Sequence, residues 1–354
     1  MTTTHEDDAY DVREFTVGAG QRAPERPEEM SEEQVRFLAK MMLDEMMEFT
    51  ATVEEPGAAK DKLCKFIDES KDIALPAYES MENGVVQRIA DQADALVDAY
   101  YYSLNAAARH GVNLSQLFAV VHEANMNKRD PATGKFLRRE DGKIIKPPGW
   151  QPPNVEAEIA RQLEQGGFNE VATESKPDAK RTDADMVCEF TSGAGSTIPS
   201  RPEVFSSEAV FFLAKMMLDE IMEFMATVLP PAEAKEALKT FIRESKDIAK
   251  TQQSDRVQLI ADQADALVDS YYYSLNAAAL HGVNLSSLFA VVHEANMNKR
   301  DPATGEFLRR EDGKIIKPPG WQPPNVEAEI ARQLEHGSFP RALELETSMP
   351  TTVA

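Results

Sequence analysis

The stretch IADQADALVDAYYY, Ile89–Tyr102, recurs as IADQADALVDSYYY at Ile260–Tyr273. The match runs well beyond it. Residues 89–164 and 260–335 differ at four positions: Ala99/Ser270, Arg109/Leu280, Gln116/Ser287 and Lys135/Glu306. Upstream, FLAKMMLDEMMEF (37–49) answers FLAKMMLDEIMEF (212–224), and EFTVGAG (14–20) answers EFTSGAG (189–195). The offset changes from 175 to 171 between these blocks, so the first copy carries four extra residues near Leu75–Glu82. A period this long means two complete domains rather than a solenoid of small units. The expected division is 8–165 for the first copy, a polar linker over 166–182, 183–337 for the second copy, and a tail over 338–354. Two near-identical units on one chain stand at high effective concentration for each other. The expectation is that they pack as an intramolecular pseudo-dimer, and such a tandem can pair again into a dimer of tandems.

Within one copy the apolar positions follow helical spacing. Val35, Leu38, Ala39, Met42, Met46 and Phe49 form one face of a helix over about 31–54, started by Ser31 with acids in its first turn. Further helices are expected over Ala58–Ala74, Val85–His110 (stopped by Gly111), Leu114–Lys128 and Val155–Glu164. The segment KFLRREDGKIIK, Lys135–Lys146, sets Glu-Asp-Gly between two short arms, a hairpin pattern. The fold class is all-α, with two tandem four-to-five-helix bundle domains, each carrying a small C-terminal β-hairpin.

Composition limits the function. With 38 Lys and Arg against 60 Asp and Glu, the formal charge of −22 disfavours a broad electrostatic hold on nucleic acid or anionic membrane. Two cysteines, Cys64 and Cys188, support neither a disulfide framework nor a four-thiolate zinc site. The acidic start, Met1–Glu14, has the pattern of neither a secretory signal nor a transit peptide, so the cytoplasm is the expected location.

Acidic residues carry the chemistry. Glu45 and Glu48 are three apart and share a helix face. Asp91, Asp94 and Asp98 line one stripe of an otherwise apolar helix. No Lys or Arg occurs between Ala90 and Asn105 to neutralise them. Glu220, Glu223, Asp262, Asp265 and Asp269 repeat the set. Buried like charges repel, and hard oxygen ligands without His or Cys select Mg²⁺, with Mn²⁺ the second candidate. The bland alternative has these acids facing solvent. A di-iron bundle would need Glu-x-x-His on two helices, and no Glu here has a His three residues on.

A basic cluster follows in HEANMNKRD (122–130). Asn125 offers amide donors and acceptors, Lys128 and Arg129 charged donors, and Lys143, Lys146 and Trp150 lie just beyond. Asn296, Lys299, Arg300, Lys314, Lys317 and Trp321 are their counterparts. An anionic ligand is expected here, with Trp150 either stacking on a base or clamping the local chain. YYY (100–102) and FLAKMM (37–42) are expected to pack in the core.

Taken together, Glu45-x-x-Glu48, ADALVDAYYY, ANMNK and REDGKIIKPPGWQPP resemble the MazG-like all-α nucleoside triphosphate pyrophosphohydrolases. That group includes phosphoribosyl-ATP pyrophosphohydrolase and dimeric dUTPases. The resemblance covers residues 31–160 and 206–331; its usual second Glu-x-x-Asp motif is here Asp91-x-x-Asp94 or Asp94 with Asp98. It implies Mg²⁺-dependent cleavage of a (deoxy)nucleoside triphosphate between its α- and β-phosphates, giving a monophosphate and pyrophosphate. It also implies Mg²⁺ held by Glu45, Glu48, Asp94 and Asp98, with Glu45 or Glu48, and Glu220 or Glu223, directing the attacking water. Lys128 and Arg129 would steady phosphate charge, Asn125 would contact the nucleotide, and helices of two subunits would frame each site. The other reading is a non-catalytic nucleotide- or metal-binding sensor.

Overall fold

The computed structural model describes residues 8–139, 144–168, 181–250, 255–309 and 315–339. Among them are helices α1 (Asp8–Gly18), α2 (Glu32–Ala51), α3 (Pro56–Glu69), α4 (Gly84–Arg109), α5 (Leu114–Met126) and α6 (Val155–Gln165). The same order returns as α7 (Asp183–Gly193), α8 (Ser207–Ala226), α9 (Pro231–Glu244), α10 (Arg256–Leu280), α11 (Leu285–Met297) and α12 (Val326–His336). The chain is thus all-helical in its described residues, with one helix more per half than the spacing predicts. The addition is α1, and its counterpart α7; α1 buries only Ala9, Val12 and Thr16, too small a face to stand out in sequence.

The helix starts obey local chemistry. Ser31 caps α2 through a reciprocal pair with Gln34, and Thr182 does the same for α7 with Asp185. Asn113 and Asn154 accept from the backbone at the starts of α5 and α6. Beyond α4, Gly111 turns the chain at φ +70°. A Cβ there would lie 2.6 Å from the Arg201 carbonyl oxygen of the other half, so only glycine fits.

No strand forms among the described residues. Of the expected hairpin only one antiparallel bridge joins the arms, Arg138 with Ile144, repeated at Arg309–Ile315; a second bridge ties Phe136 back to Arg129 and Phe307 to Arg300. The turns themselves, 140–143 and 310–314, lie outside the described residues.

Four long helices form the centre. α4 packs on α10 and α8, and α2 packs on the same two, so the order around the bundle is α2–α8–α4–α10. Helices from one half, α2 with α4 and α8 with α10, sit on the diagonals, where their backbones do not come close. The peripheral helices cross over as well: α1, α5 and α6 lie on α10, while α7, α11 and α12 lie on α4. One apolar core runs through both halves. At its middle Tyr100 stacks on Tyr271, centroids 4.4 Å apart and hydroxyls 2.8 Å apart. Tyr100 donates to Asp183 of α7, and Tyr271 to Asp8 of α1. Loops interlock too: the Glu203 N–H donates to the His110 carbonyl and the Glu28 N–H to the His281 carbonyl, both at 2.9 Å. Of the FLAKMM stretch, Leu38, Ala39 and Met42 are core, whereas Phe37 is exposed.

Candidate functional site

Helical geometry and the crossed packing decide which acids meet. Glu45 and Glu48 lie three residues apart on α2, and α2 runs against α10, so they look onto Asp265 and Asp269. The mirror edge, α8 against α4, sets Glu220 and Glu223 beside Asp94 and Asp98. This corrects the expected grouping of Glu45 and Glu48 with Asp94 and Asp98. The bundle places a half's own long helices on a diagonal, so each edge takes its glutamates from one half and its aspartates from the other.

Burial grades across each edge. Glu45 is buried, Asp265 and Asp269 are half-buried, and Glu48 is exposed at the rim. Burial first, then the charges of Asp269, Glu48 and Asp265, push the Glu45 carboxyl up to about 9. Asp269 rises to about 7 by burial, then Asp265 and Glu48, with Lys128 opposing. Asp265 rises to about 6 by burial, then Glu48 and Asp262. At the other edge Glu220 rises to about 9 and Asp98 to about 7, again by burial first and neighbouring carboxylates second. Lys299 opposes the shift of Asp98 as Lys128 does that of Asp269. The basic ends of α5 and α11 therefore belong to these edges.

Asp91 and Asp262 stand one turn farther out. Asp91 accepts from Tyr78 at 2.7 Å and from Gln87 at 2.8 Å, and Asp262 accepts from Gln258 at 2.7 Å. A cavity of about 330 Å³ opens beside Asp91 and Asp94, walled by Gln87 and by Pro323–Glu327 at the start of α12.

The basic cluster is only partly gathered. Lys128 donates to Asn125 at 2.6 Å, and Lys299 to Asn296 likewise. Trp150 donates its ring N–H to the Ala124 carbonyl, 2.8 Å away, and lies beneath Lys146 at 4.2 Å and Lys128 at 5.5 Å. Trp321 repeats this with Ala295, Lys317 and Lys299. The indole thus anchors two lysines near the site. Arg129 points elsewhere, pairing with Glu14 of α1 at 2.9 Å over the Phe136 ring, and Arg300 pairs with Glu189 of α7. Lys143 and Lys314 lie outside the described residues.

Sequence reasoning passed over two tyrosines. Tyr102 and Tyr273 lie four residues beyond Asp98 and Asp269 on the same stripe. Each phenol is raised by burial and then by the acids of its edge, Glu220 and Asp98 for Tyr102, Glu45 and Asp269 for Tyr273. The i,i+4 spacing was the available signal; the YYY run masked it by looking uniformly like core.

The donor set fits a hard divalent cation. It is all carboxylate, and the buried Glu45 Oε2 has no hydrogen-bond partner, a costly state for a polar atom out of water. The side chains have not closed on a point: among the described residues no three acidic, His or Cys groups stand in ligating arrangement. Among the same residues no single helix is long and apolar enough to cross a membrane.

Residues 12–125 match the phosphoribosyl-ATP pyrophosphohydrolase family, a span from α1 to the end of α5. It contains Glu45, Glu48, Asp91, Asp94 and Asp98 and stops short of Lys128. No curated protein and no solved structure matches the chain.

Proposed function

We propose, from the match of residues 12–125 to the phosphoribosyl-ATP pyrophosphohydrolase family, within the MazG-like all-α nucleoside triphosphate pyrophosphohydrolase superfamily, that the chain hydrolyses a (deoxy)nucleoside triphosphate to the monophosphate and pyrophosphate. The observation that carries this is the crossed edge, where graded carboxylates face a lysine held by an asparagine. Mg²⁺, when bound, would neutralise phosphate oxygens and polarise the bond to be broken. Glu45, Glu48, Asp265 and Asp269 are the residues that would hold it at one edge, and Glu220, Glu223, Asp94 and Asp98 at the other.

Within this reading, Glu45 and Glu48 orient the attacking water and accept its proton, and Glu220 and Glu223 do the same opposite. Lys128 steadies phosphate charge, and Lys146 over Trp150 adds a second cation at the mouth. Asn125 positions both Lys128 and the nucleotide. Burial of the long helices keeps bulk water from Glu45 and Glu220, while Glu48 and Glu223 stay open to it at the rim. The tandem supplies both partners of each edge in one chain, as an intramolecular pseudo-dimer acting in the cytoplasm.

Incubation with nucleoside triphosphates and Mg²⁺ is expected to release pyrophosphate. Glu48→Gln together with Glu223→Gln is expected to abolish that release. Orthophosphate as the first product would reject the chemistry. The second acidic motif, Asp91-x-x-Asp94 in place of Glu-x-x-Asp, favours one second reading, a nucleotide or metal sensor without turnover. Tight nucleotide binding with no product from the wild-type chain would select it.

A further inference from the structure

The four residues by which the first copy exceeds the second build a strap that has no counterpart in sequence. Tyr78 sits there in a short 3₁₀ turn, Tyr78–Ser80, and is 3% exposed. Its hydroxyl donates to Asp91 Oδ2 at 2.7 Å, while Gln87 Nε2 holds Oδ1 at 2.8 Å. Both carboxylate oxygens are therefore fixed, and the plane of the group with them. The Arg88 guanidinium covers the Tyr78 ring at 4.7 Å and is itself tied to Glu29 at 3.1 Å and Glu79 at 2.8 Å. The strap seats directly on the start of α4: a Cβ on Gly84 would lie 1.9 Å from the Tyr78 carbonyl oxygen. Asp91 in turn lines the 330 Å³ cavity beside Asp94, and its charge reaches both Asp94 and Glu223. In the second half, no tyrosine occurs between Ser245 and Ser270, and Asp262 is met by Gln258.

We infer that Tyr78 is a positioning residue of the α4–α8 edge, holding Asp91 toward the cation-binding carboxylates, and that this edge depends on a tyrosine for which the second half has no match in sequence. The inference rests on the proposed function for the role of the cation. It stands on the hydroxyl–carboxylate contact and on the lack of a matching tyrosine in the second half's sequence, not on activity. Removing the hydroxyl frees Asp91 to swing out of the cavity, and the edge loses a fixed negative charge. The ring of phenylalanine keeps the packing under Arg88.

The test uses the full chain in two backgrounds, each leaving one edge intact: Glu48→Gln leaves α4–α8, and Glu223→Gln leaves α2–α10. Mn²⁺ alone is titrated into each, with free ion counted by electron paramagnetic resonance. Tyr78→Phe is expected to weaken Mn²⁺ binding about ten-fold in the Glu48→Gln background, as loss of a group supporting a metal ligand does. The Mn²⁺ affinity of the α2–α10 edge is expected to stay where it was. Equal weakening in both backgrounds would mean general loosening and overturn the inference, as would no change at α4–α8 or no Mn²⁺ binding there at all. Pyrophosphate release measured in parallel separates the two readings. Selective Mn²⁺ weakening in a chain that makes no pyrophosphate would reject the activity and keep Tyr78 in its role.

Discussion

The α2–α10 and α4–α8 edges are built from nearly the same residues and are not the same site. Both set a buried glutamate, raised to about 9, beside a deep aspartate raised to about 7. They differ at the margins. The α4–α8 edge has the Tyr78 strap on Asp91, and the α2–α10 edge has Lys246 acting on Glu48. The tyrosine strap comes from the stretch where the two halves differ in length, whereas Lys246 has its equivalent in Lys71, which acts on Asp219 at the other edge.

The largest effect tests the crossing itself. Glu48→Gln with Asp269→Asn injures one edge only and is expected to leave about half of the turnover, whereas Glu48→Gln with Asp98→Asn injures both and should lower it about a hundred-fold or more. Steady-state pyrophosphate assays decide between them. The reverse result would mean that each half forms its own site.

Next comes pH. The Glu45 carboxyl holds its proton more tightly folded, at about 9, than unfolded, at 4.5. Its contribution to stability is therefore whole below pH 4.5 and is lost as pH climbs toward 9. Urea unfolding without divalent ions should show stability falling across that window, with Mg²⁺ restoring it at the alkaline end. Glu45→Gln should stabilise the metal-free chain at pH 9 by about 1–3 kcal/mol while disabling its edge.

A smaller asymmetry lies in the core. Ser270 has a buried hydroxyl with no partner, where the first half carries Ala99. Ser270→Ala is expected to raise the unfolding free energy by about 1 kcal/mol, read from denaturant midpoints at unchanged slope. The smallest effect is that of Lys246→Ala. Lys246 is exposed and holds the Glu48 carboxyl down against burial. Its loss should move the pH profile of the α2–α10 edge upward only slightly, by about two-fold in rate at a fixed acidic pH and less in high salt.

Much of this was legible in the chain. The 3.6-residue spacing of Val35, Leu38, Met42, Met46 and Phe49 marks α2, and the unneutralised stripe of Asp91, Asp94 and Asp98 marks α4 as unusual. Which helix meets which was not legible. Two near-identical repeats present the same faces, so Glu45 has equivalent aspartates in Asp98 and Asp269, and local pattern cannot choose. The choice appears only in the packing of α2 on α10 and of α8 on α4, around a centre where Tyr100 meets Tyr271, 171 residues apart in sequence. Tyr78 was hidden for another reason: its contact depends on a turn that sets it against the helix that follows, at a residue thirteen positions on.

The diagonal placement of each half's long helices has a kinetic consequence. A chain severed between Phe168 and Arg181 would give two fragments, neither holding a whole edge. Mixed at low concentration, their initial rate should rise with the product of the two fragment concentrations and level off only when every fragment is paired. The uncut chain is expected to stay first order in itself on dilution, so covalent joining would free the proposed activity from how crowded the solution is.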